Sequence, residues 1–222
     1  MINDKNLKIG IPSKGRLKKS VLEWFSNYGI EIFIDNGGRG YNGIVSNISS
    51  FSVILLSAND IPLEMKKGSL HLGITGQDLV QEKVPLWKKN IFELKKLDFG
   101  YADLVLAVPE FWVDVNNLED FDDVAVLFRK KNGFPLRIAT KYHNLVWSYL
   151  RENGIVDYSL VDSQGATEGS IRNLFSEAIA DISSTGATLK ANNLKVISDN
   201  PILQSQSVLF ASKNSPWTNQ NI

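Results

Sequence analysis

The chain reads as an α/β protein whose sheets are largely parallel. Three observations carry that expectation. Strand-like apolar runs alternate with amphipathic helical runs over most of the 222 residues. Gly29 and Gly154 stand where helix C-terminal glycines belong. Turn chemistry falls into two groups far apart in sequence, one at residues 12–16, 36–43 and 75–78, the other at 163–170 and 183–188. A ligand touching both groups would sit in a cleft between two lobes, where small-molecule sites often form.

Leu7–Ile11, Ile30–Ile34, Ser52–Leu56, Leu70–Ile74, Tyr101–Val108, Leu136–Ala139, Tyr158–Val161, Ile179–Ile182 and Val208–Ala211 have the apolar content and length of strands. Leu17–Tyr28, Ile61–Lys67, Leu118–Lys131, Leu145–Asn153 and Ile171–Glu177 carry helical spacing between them. Residues 109–123 are irregular and acidic and predict a surface loop leading into a helix. At this length the chain forms one large domain or two small ones.

Composition removes several functions. The 24 basic and 24 acidic residues cancel, so no global field points to nucleic acid or a membrane. Cysteine is absent, which excludes disulfides, thiolate nucleophiles and cysteine metal sites. No run approaches the ~20 apolar residues that span a bilayer, and the first eight residues lack a signal-peptide core. A soluble cytoplasmic protein is expected.

The most informative stretch is Ala178-Ile-Ala-Asp-Ile-Ser-Ser-Thr-Gly-Ala-Thr-Leu189. It reads as a strand carrying Asp181, a small-residue turn and a helix from about Ala187. Ser183, Ser184, Thr185 and Thr188 offer hydroxyls, and Gly186 lets a ligand approach the backbone. New helix N–H groups attract anions. The acidic residue beside them suits a phosphorylated sugar better than bare phosphate. A capped strand–helix turn without a ligand would use the same residues.

Ile9-Gly-Ile-Pro-Ser-Lys-Gly-Arg-Leu17 runs from strand to helix, placing Lys14, Gly15 and Arg16 at the ligand edge of an α/β sheet. Cations there oppose the helix dipole, so an anionic partner explains them better than solvation. Arg39 lies in a glycine-rich loop, Asp35–Tyr41, and could reach a diphosphate or decorate a plain turn. Thr75 and Gly76 could line a pocket, whereas Asp78 suits dipole compensation in a first helical turn. Glu168, in Ser163–Ser170, could accept from sugar hydroxyls or cap a helix. Neither Glu168 nor Asp181 belongs to a metal-site pattern. His71 and His143 have no metal-pair spacing and read as structural. The five tryptophans are scattered, and no serine-nucleophile elbow or Walker loop occurs.

Taken in order, these segments resemble the ATP phosphoribosyltransferase family. The motifs are Ile-Pro-Ser-Lys-Gly-Arg-Leu at 11–17, Leu-Gly-Ile-Thr-Gly-Gln-Asp-Leu-Val at 72–80 and the run from Leu97 to Pro109. Arg-Ile-Ala-Thr-Lys-Tyr at 137–142, Gly-Ala-Thr-Glu at 165–168, residues 180–189 and Asn192-Asn193-Leu194 follow. Asn193 stands where the family has glycine.

The resemblance implies two α/β lobes of mixed, mainly parallel sheets, like type II periplasmic binding proteins. Lobe I would comprise 1–98 and 198–222, and lobe II 99–197. It implies transfer of phosphoribosyl from phosphoribosyl diphosphate to N1 of ATP's adenine, the first step of histidine biosynthesis. Arg16, Arg39 and Asp181 would be catalytic. Lys14, Gly15, Thr75, Gly76, Glu168, Ser184, Thr185, Gly186, Ala187 and Thr188 would bind substrate. Mg²⁺ would bind mainly through the substrate diphosphate. The expected assembly is a short form without the C-terminal regulatory domain: a homodimer of catalytic chains in a hetero-oligomer with a histidyl-tRNA-synthetase-like regulatory subunit.

Two other readings share parts of this pattern. A non-enzymatic two-lobed anion-binding protein would have the same architecture, but an exported one needs a signal. A type I phosphoribosyltransferase needs two adjacent acids before its turn, where this chain has Ala180-Asp181.

Overall fold

The computed structural model describes residues 6–34, 42–45, 48, 50–163, 167–197 and 200–218. Arg39, Gly165, Ala166 and Ser198 lie outside them. The chain divides into two compact units, one running to Tyr101 and resuming at Gln206, the other Ala102–Ser205.

The first unit is built on a seven-stranded sheet in the order β2-β3-β4-β1-β5-β13-β6. Its strands are β1 (Leu7–Pro12), β2 (Ile32–Ile34), β3 (Asn42–Val45), β4 (Phe51–Leu56), β5 (Leu72–Gly76), β6 (Ile91–Lys96) and β13 (Ser207–Ser212). β1 pairs in parallel with both β4 and β5, while β3 and β13 run against their neighbours. Helix α1 (Gly15–Asn27) covers one face, burying Val21 and Phe25 against Ile9, Ile11, Val53 and Leu55. Helices α2 (Asp60–Lys67) and α3 (Gln77–Lys83) cover the other, over Leu70, Ile91, Val208 and Phe210. Full burial of one such side chain is worth about 1.5–3 kcal/mol. Gly10 and Gly73 face each other across β1 and β5. A Cβ at Gly10 would come within 2.6 Å of Leu70, and one at Gly73 within 2.5 Å of Met65 and 2.7 Å of Ile61. The glycines therefore let α2 lie close on the sheet.

The second unit holds a six-stranded sheet. Its strands are β7 (Ala102–Pro109), β8 (Leu136–Thr140), β9 (Tyr158–Asp162), β10 (Ala178–Ser183), β11 (Leu194–Val196) and β12 (Leu203–Ser205). β8 pairs in parallel with β9 and β10. β7 alone runs the other way, with β10 on one side and both β11 and β12 on the other. Helices α4 (Leu118–Asn132) and α5 (His143–Glu152) bury Phe121, Ala125, Val146 and Leu150 against one face. The short helices α6 (Gly169–Arg172) and α7 (Ala187–Ala191) are associated with the opposite face, where Leu189 joins Val105, Ala107 and Ile179. Both sheets are thus mixed, with most strands running one way.

The predicted helix at 171–177 is corrected to the single turn of α6. Leu174 takes a left-handed φ of 59°, and Phe175 N–H closes the turn on Ser170 O at 2.9 Å. The chain then enters β10 directly. β3, β6, β11 and β12 were not expected from periodicity, whereas α3 supplies the first helical turn expected around Asp78. Among the described residues no helix is long and apolar enough to cross a membrane.

Candidate active site

In each unit the predicted site residues gather where parallel strands end, the edge at which open α/β sheets take ligands. In the first unit, β4, β1 and β5 lie side by side, so their C-terminal ends bring together Ser57–Asn59, Ser13–Arg16 and Thr75–Gln77. The turn after β1 is held by Ser13 N–H donating to Leu56 O at 2.7 Å. Lys14 is the extended N-cap residue of α1 and makes no side-chain cap. Gly15 has φ 78°, a conformation other residues adopt at a cost. Lys14, Gly15 and Arg16 are exposed, and the first turn of α1 carries no acidic residue. Neither cation has a hydrogen-bond or ion-pair partner among the described residues. Two unpaired cations at a helix N-terminus are unfavourable in isolation, and an anion there relieves both charge and dipole.

Thr75 and Gly76 end β5 at the same edge. Thr75 is fully buried and donates its hydroxyl to Ala58 O at 2.9 Å, so it braces the turn after β4. Asp78 is buried in the first turn of α3, its carboxylate against Gly76. That placement fits helix-dipole compensation.

In the second unit, β10, β8 and β9 lie side by side in parallel. Asp181 sits near the end of β10, half-buried, with Oδ1 accepting from Ile182 N–H at 2.8 Å. The turn that follows is shaped by Gly186 N–H donating to Ser183 Oγ at 3.0 Å. Gly186 has φ 72° and open space where a Cβ would point. The backbone N–H groups of Ser184, Thr185 and Thr188 and the hydroxyls of Ser184 and Thr188 have no partner among the described residues. Ala187 N–H makes only a long 3.4 Å contact with Thr185 Oγ1. The turn therefore presents a cluster of outward donors beside one carboxylate. α7 has only five residues, so an anion at this turn would meet these donors more than a helix dipole.

Glu168 is the N-cap residue of α6, makes no side-chain cap and has no hydrogen-bond partner among the described residues. It follows β9, two strands from β10, which puts the backbones about 10 Å apart. Its approach is set by a buried hydroxyl pair, Thr167 Oγ1 donating to Ser163 Oγ at 3.0 Å.

Sequence reasoning missed further groups at this edge. His143 opens α5 and its Nε2 lies 2.8 Å from Asp162 Oδ1 at the end of β9. Thr140 Oγ1 accepts from Tyr142 N–H at 3.0 Å. The signal was the polar run Thr140–His143 directly after a parallel strand. His71 lies away from this chemistry: it is buried, and its Nδ1 accepts from Lys8 N–H at 3.2 Å.

Comparison with known proteins identifies what this arrangement belongs to. A family model described as ATP phosphoribosyltransferase (HisG) matches residues 57–222. The chain is 51% identical over 212 residues to an ATP phosphoribosyltransferase of Cereibacter sphaeroides, covering 96% of this chain and 90% of that one. Other curated relatives of the same name, 42% identical, extend further, and the chain spans 65% of their length. Among solved structures it is similar to the ATP phosphoribosyl transferase (HisG:HisZ) complex from Thermotoga maritima. That match has a TM-score of 0.67 and 23% identity over 92% of this chain and 87% of the other. It also resembles the substrate binding protein of an amino acid ABC transporter, with TM-score 0.52 and 13% identity over 93% and 85% of the two chains. At those identities the solved structures share the fold alone, which is of the type II periplasmic-binding-protein kind. A solute-binding role is therefore not favoured over the enzymatic one. The chain belongs to the ATP phosphoribosyltransferase family, pentosyltransferases of histidine biosynthesis.

Proposed function

We propose that this chain moves the 5-phosphoribosyl group of phosphoribosyl diphosphate onto N1 of ATP's adenine. The observation that carries the residue assignment is the turn after β10, where free backbone and hydroxyl donors stand beside Asp181. Ser184, Thr185, Gly186, Ala187 and Thr188 hold the 5′-phosphate, and Asp181 and Glu168 orient the ribose hydroxyls. Lys14 and Arg16, with Arg39, serve the phosphates of ATP or the leaving diphosphate, and Gly15, Thr75 and Gly76 line the same edge.

The N1 lone pair forms the new bond to the anomeric carbon while that carbon's bond to diphosphate breaks. The electron pair leaves with diphosphate. N1 attacks through a lone pair already free, so no side chain has to remove a proton from it first. Catalysis rests on alignment of the reactants and on stabilising charge as it develops. The carboxylates favour the cationic sugar, and the cations favour the departing diphosphate.

Mg²⁺ supplies charge neutralisation to the diphosphate when bound. The described residues assemble no group of three or more histidines and carboxylates that could hold a metal ion. Two separate carboxylates fit an ion carried mainly by substrate oxygens.

The Thermotoga neighbour is a HisG:HisZ complex. On that likeness we assign this chain a HisZ-type regulatory subunit resembling histidyl-tRNA synthetase, in a cytoplasmic hetero-oligomer built on paired catalytic chains. The test is diphosphate release from ATP and phosphoribosyl diphosphate by the chain with and without the HisZ-type subunit. Release that needs both substrates is expected, and none from either preparation refutes the reading.

A further inference from the structure

β13 runs against β5, so it begins where β5 ends, at the ligand edge of the first sheet. Ser207 pairs with Gly76, and Gln206 O accepts from Gln77 N–H at 3.0 Å. Gln206 is thereby fixed beside Thr75–Gln77. Ser207 N–H donates to Phe99 O at 2.9 Å, and Ser207 O accepts from Leu97 N–H at 3.0 Å. A Cβ at Gly100 would collide with Ser207 Oγ and touch Leu17 Cδ1 at 3.4 Å. Leu17 follows Arg16 in the first turn of α1. The start of β13 and the cationic start of α1 therefore meet around Gly100.

Four buried side-chain oxygens have no hydrogen-bond partner among the described residues: Asp122 Oδ1, Ser176 Oγ, Gln206 Oε1 and Ser207 Oγ. Two of the four are consecutive and stand at this corner. Buried polar atoms in folded proteins are paired almost throughout, so two unpaired neighbours at a ligand edge point to a role in binding. Ser207 is fully buried, whereas Gln206 is only half-buried. The Gln206 carboxamide is therefore the group that can turn to the edge, and it carries both an acceptor and a donor arm.

We propose that Gln206 selects the adenine of ATP by its N6 and N7 edge, with Oε1 accepting from the N6 amine and Nε2 donating to N7. The inference rests on the phosphoribosyl transfer proposed above and names a residue for its acceptor. Adenine has two edges that set an amine beside a ring nitrogen. The N6 and N1 edge is closed to the protein, because N1 must keep its lone pair for the new bond. The N6 and N7 edge remains, and a glutamine carboxamide matches it with two hydrogen bonds. A purine with oxygen at C6 offers two acceptors there, so the acceptor arm always meets a like group. With the base held at Gln206, Lys14 and Arg16 stand on the same edge for the triphosphate.

Diphosphate release by the full chain with its HisZ-type subunit tests this, using ATP and 7-deaza-ATP. The analogue keeps N6 and N1 but has carbon in place of N7. The two acceptors differ in intrinsic reactivity, so the quantity read is their kcat/KM ratio. It is compared between wild type and variants that circular dichroism shows to be folded. Gln206→Leu should lower kcat/KM for ATP roughly ten- to a hundredfold and leave the Michaelis constant for phosphoribosyl diphosphate near wild type. It should also shift the ratio several-fold toward 7-deaza-ATP, since no donor is left to reward N7. Gln206→Glu keeps an acceptor for N6 but sets a carboxylate against N7, so it should shift the ratio further. A ratio that is the same in wild type and both variants overturns the inference and leaves the transfer reading intact. No release by the wild type from ATP and phosphoribosyl diphosphate overturns both.

Discussion

Arg137 and Glu177 clamp the N-terminal ends of β8 and β10 together. Glu177 Oε2 accepts from Arg137 N–H at 2.8 Å and from Nε at 3.1 Å, and Oε1 accepts from Nη2 at 2.5 Å. Glu177 N–H returns a bond to Arg137 O at 2.9 Å. Donating to the Glu177 carboxylate pushes the guanidinium further up from its ordinary range. The same Nη2 donates to Leu174 O at 3.1 Å, holding the left-handed turn before β10.

This clamp sits at the sheet edge opposite the turn that follows β10. Glu177→Ala should lower the unfolding free energy by about 2–3 kcal/mol, since it leaves the Arg137 backbone N–H and Nε without their acceptor and Nη2 with Leu174 O alone. Glu177→Gln should cost less. Denaturant titration measures the loss, while the Michaelis constant for phosphoribosyl diphosphate should stay near wild type in folded protein.

Asp181→Asn keeps an oxygen to accept from Ile182 N–H, so the turn should survive. It removes the charge proposed to orient the ribose. A lost charge-assisted hydrogen bond should cost about 1.5–3 kcal/mol, or roughly ten- to a hundredfold in kcat/KM. Wild-type efficiency in this variant would take Asp181 out of the reaction.

Asn193 follows the end of α7 with φ 55°, the left-handed position that closes a helix. Asparagine tolerates it and glycine is freer still. Asn193→Ala should therefore destabilise by about 1 kcal/mol, whereas Asn193→Gly should leave stability unchanged or slightly raised. Thermal unfolding distinguishes the two. Equal loss in both would mean the asparagine side chain, not the backbone, matters.

Glu64 accepts from Lys67 Nζ at 2.6 Å and from Ser69 Oγ at 2.6 Å. The Lys67 bond, then the Ser69 bond, pulls its carboxyl below the ordinary range. A depressed folded value adds stability that is present above the unfolded value and lost as pH falls through the folded one. Glu64→Gln should thus flatten the acid limb of the stability–pH curve and leave its slope near neutrality unchanged. Lys67 is well exposed, so the effect should be small.

Much of this architecture was legible because its core strands carry period and length together. Ile9 and Ile11, Val53 and Leu55, Ile138, and Ile179 are strand positions whose apolar pattern matches their burial. β6 escaped notice because its register slips between Leu209 and Phe210 of β13, breaking alternation within Ile-Phe-Glu-Leu-Lys-Lys. β3 is four residues long and begins beside a glycine, too short for periodicity to show. The reversed direction of β7 is a matter of long-range pairing that no local pattern encodes. For the site, strand-end polar turns were visible as sequence, but their substrate roles came from the order of motifs. The His143–Asp162 contact was invisible because it joins side chains on separate turns whose meeting depends on the folded sheet edge, and the Thr167–Ser163 hydroxyl pair because its local turn carries no periodic signal.

The position of β13 has a consequence for how the protein is made. This strand lies between β5 and β6, inside the first sheet rather than at its rim, yet it leaves the ribosome after every strand of the second unit. Until Ser207–Ser212 emerges, β5 has one bare edge and β6 has no hydrogen-bonded neighbour. The second unit, complete at Ser205, has all its strands before the first can close. Synthesis from the N-terminus therefore inverts the usual order in which domains mature, and the earliest residues wait longest for their final partners.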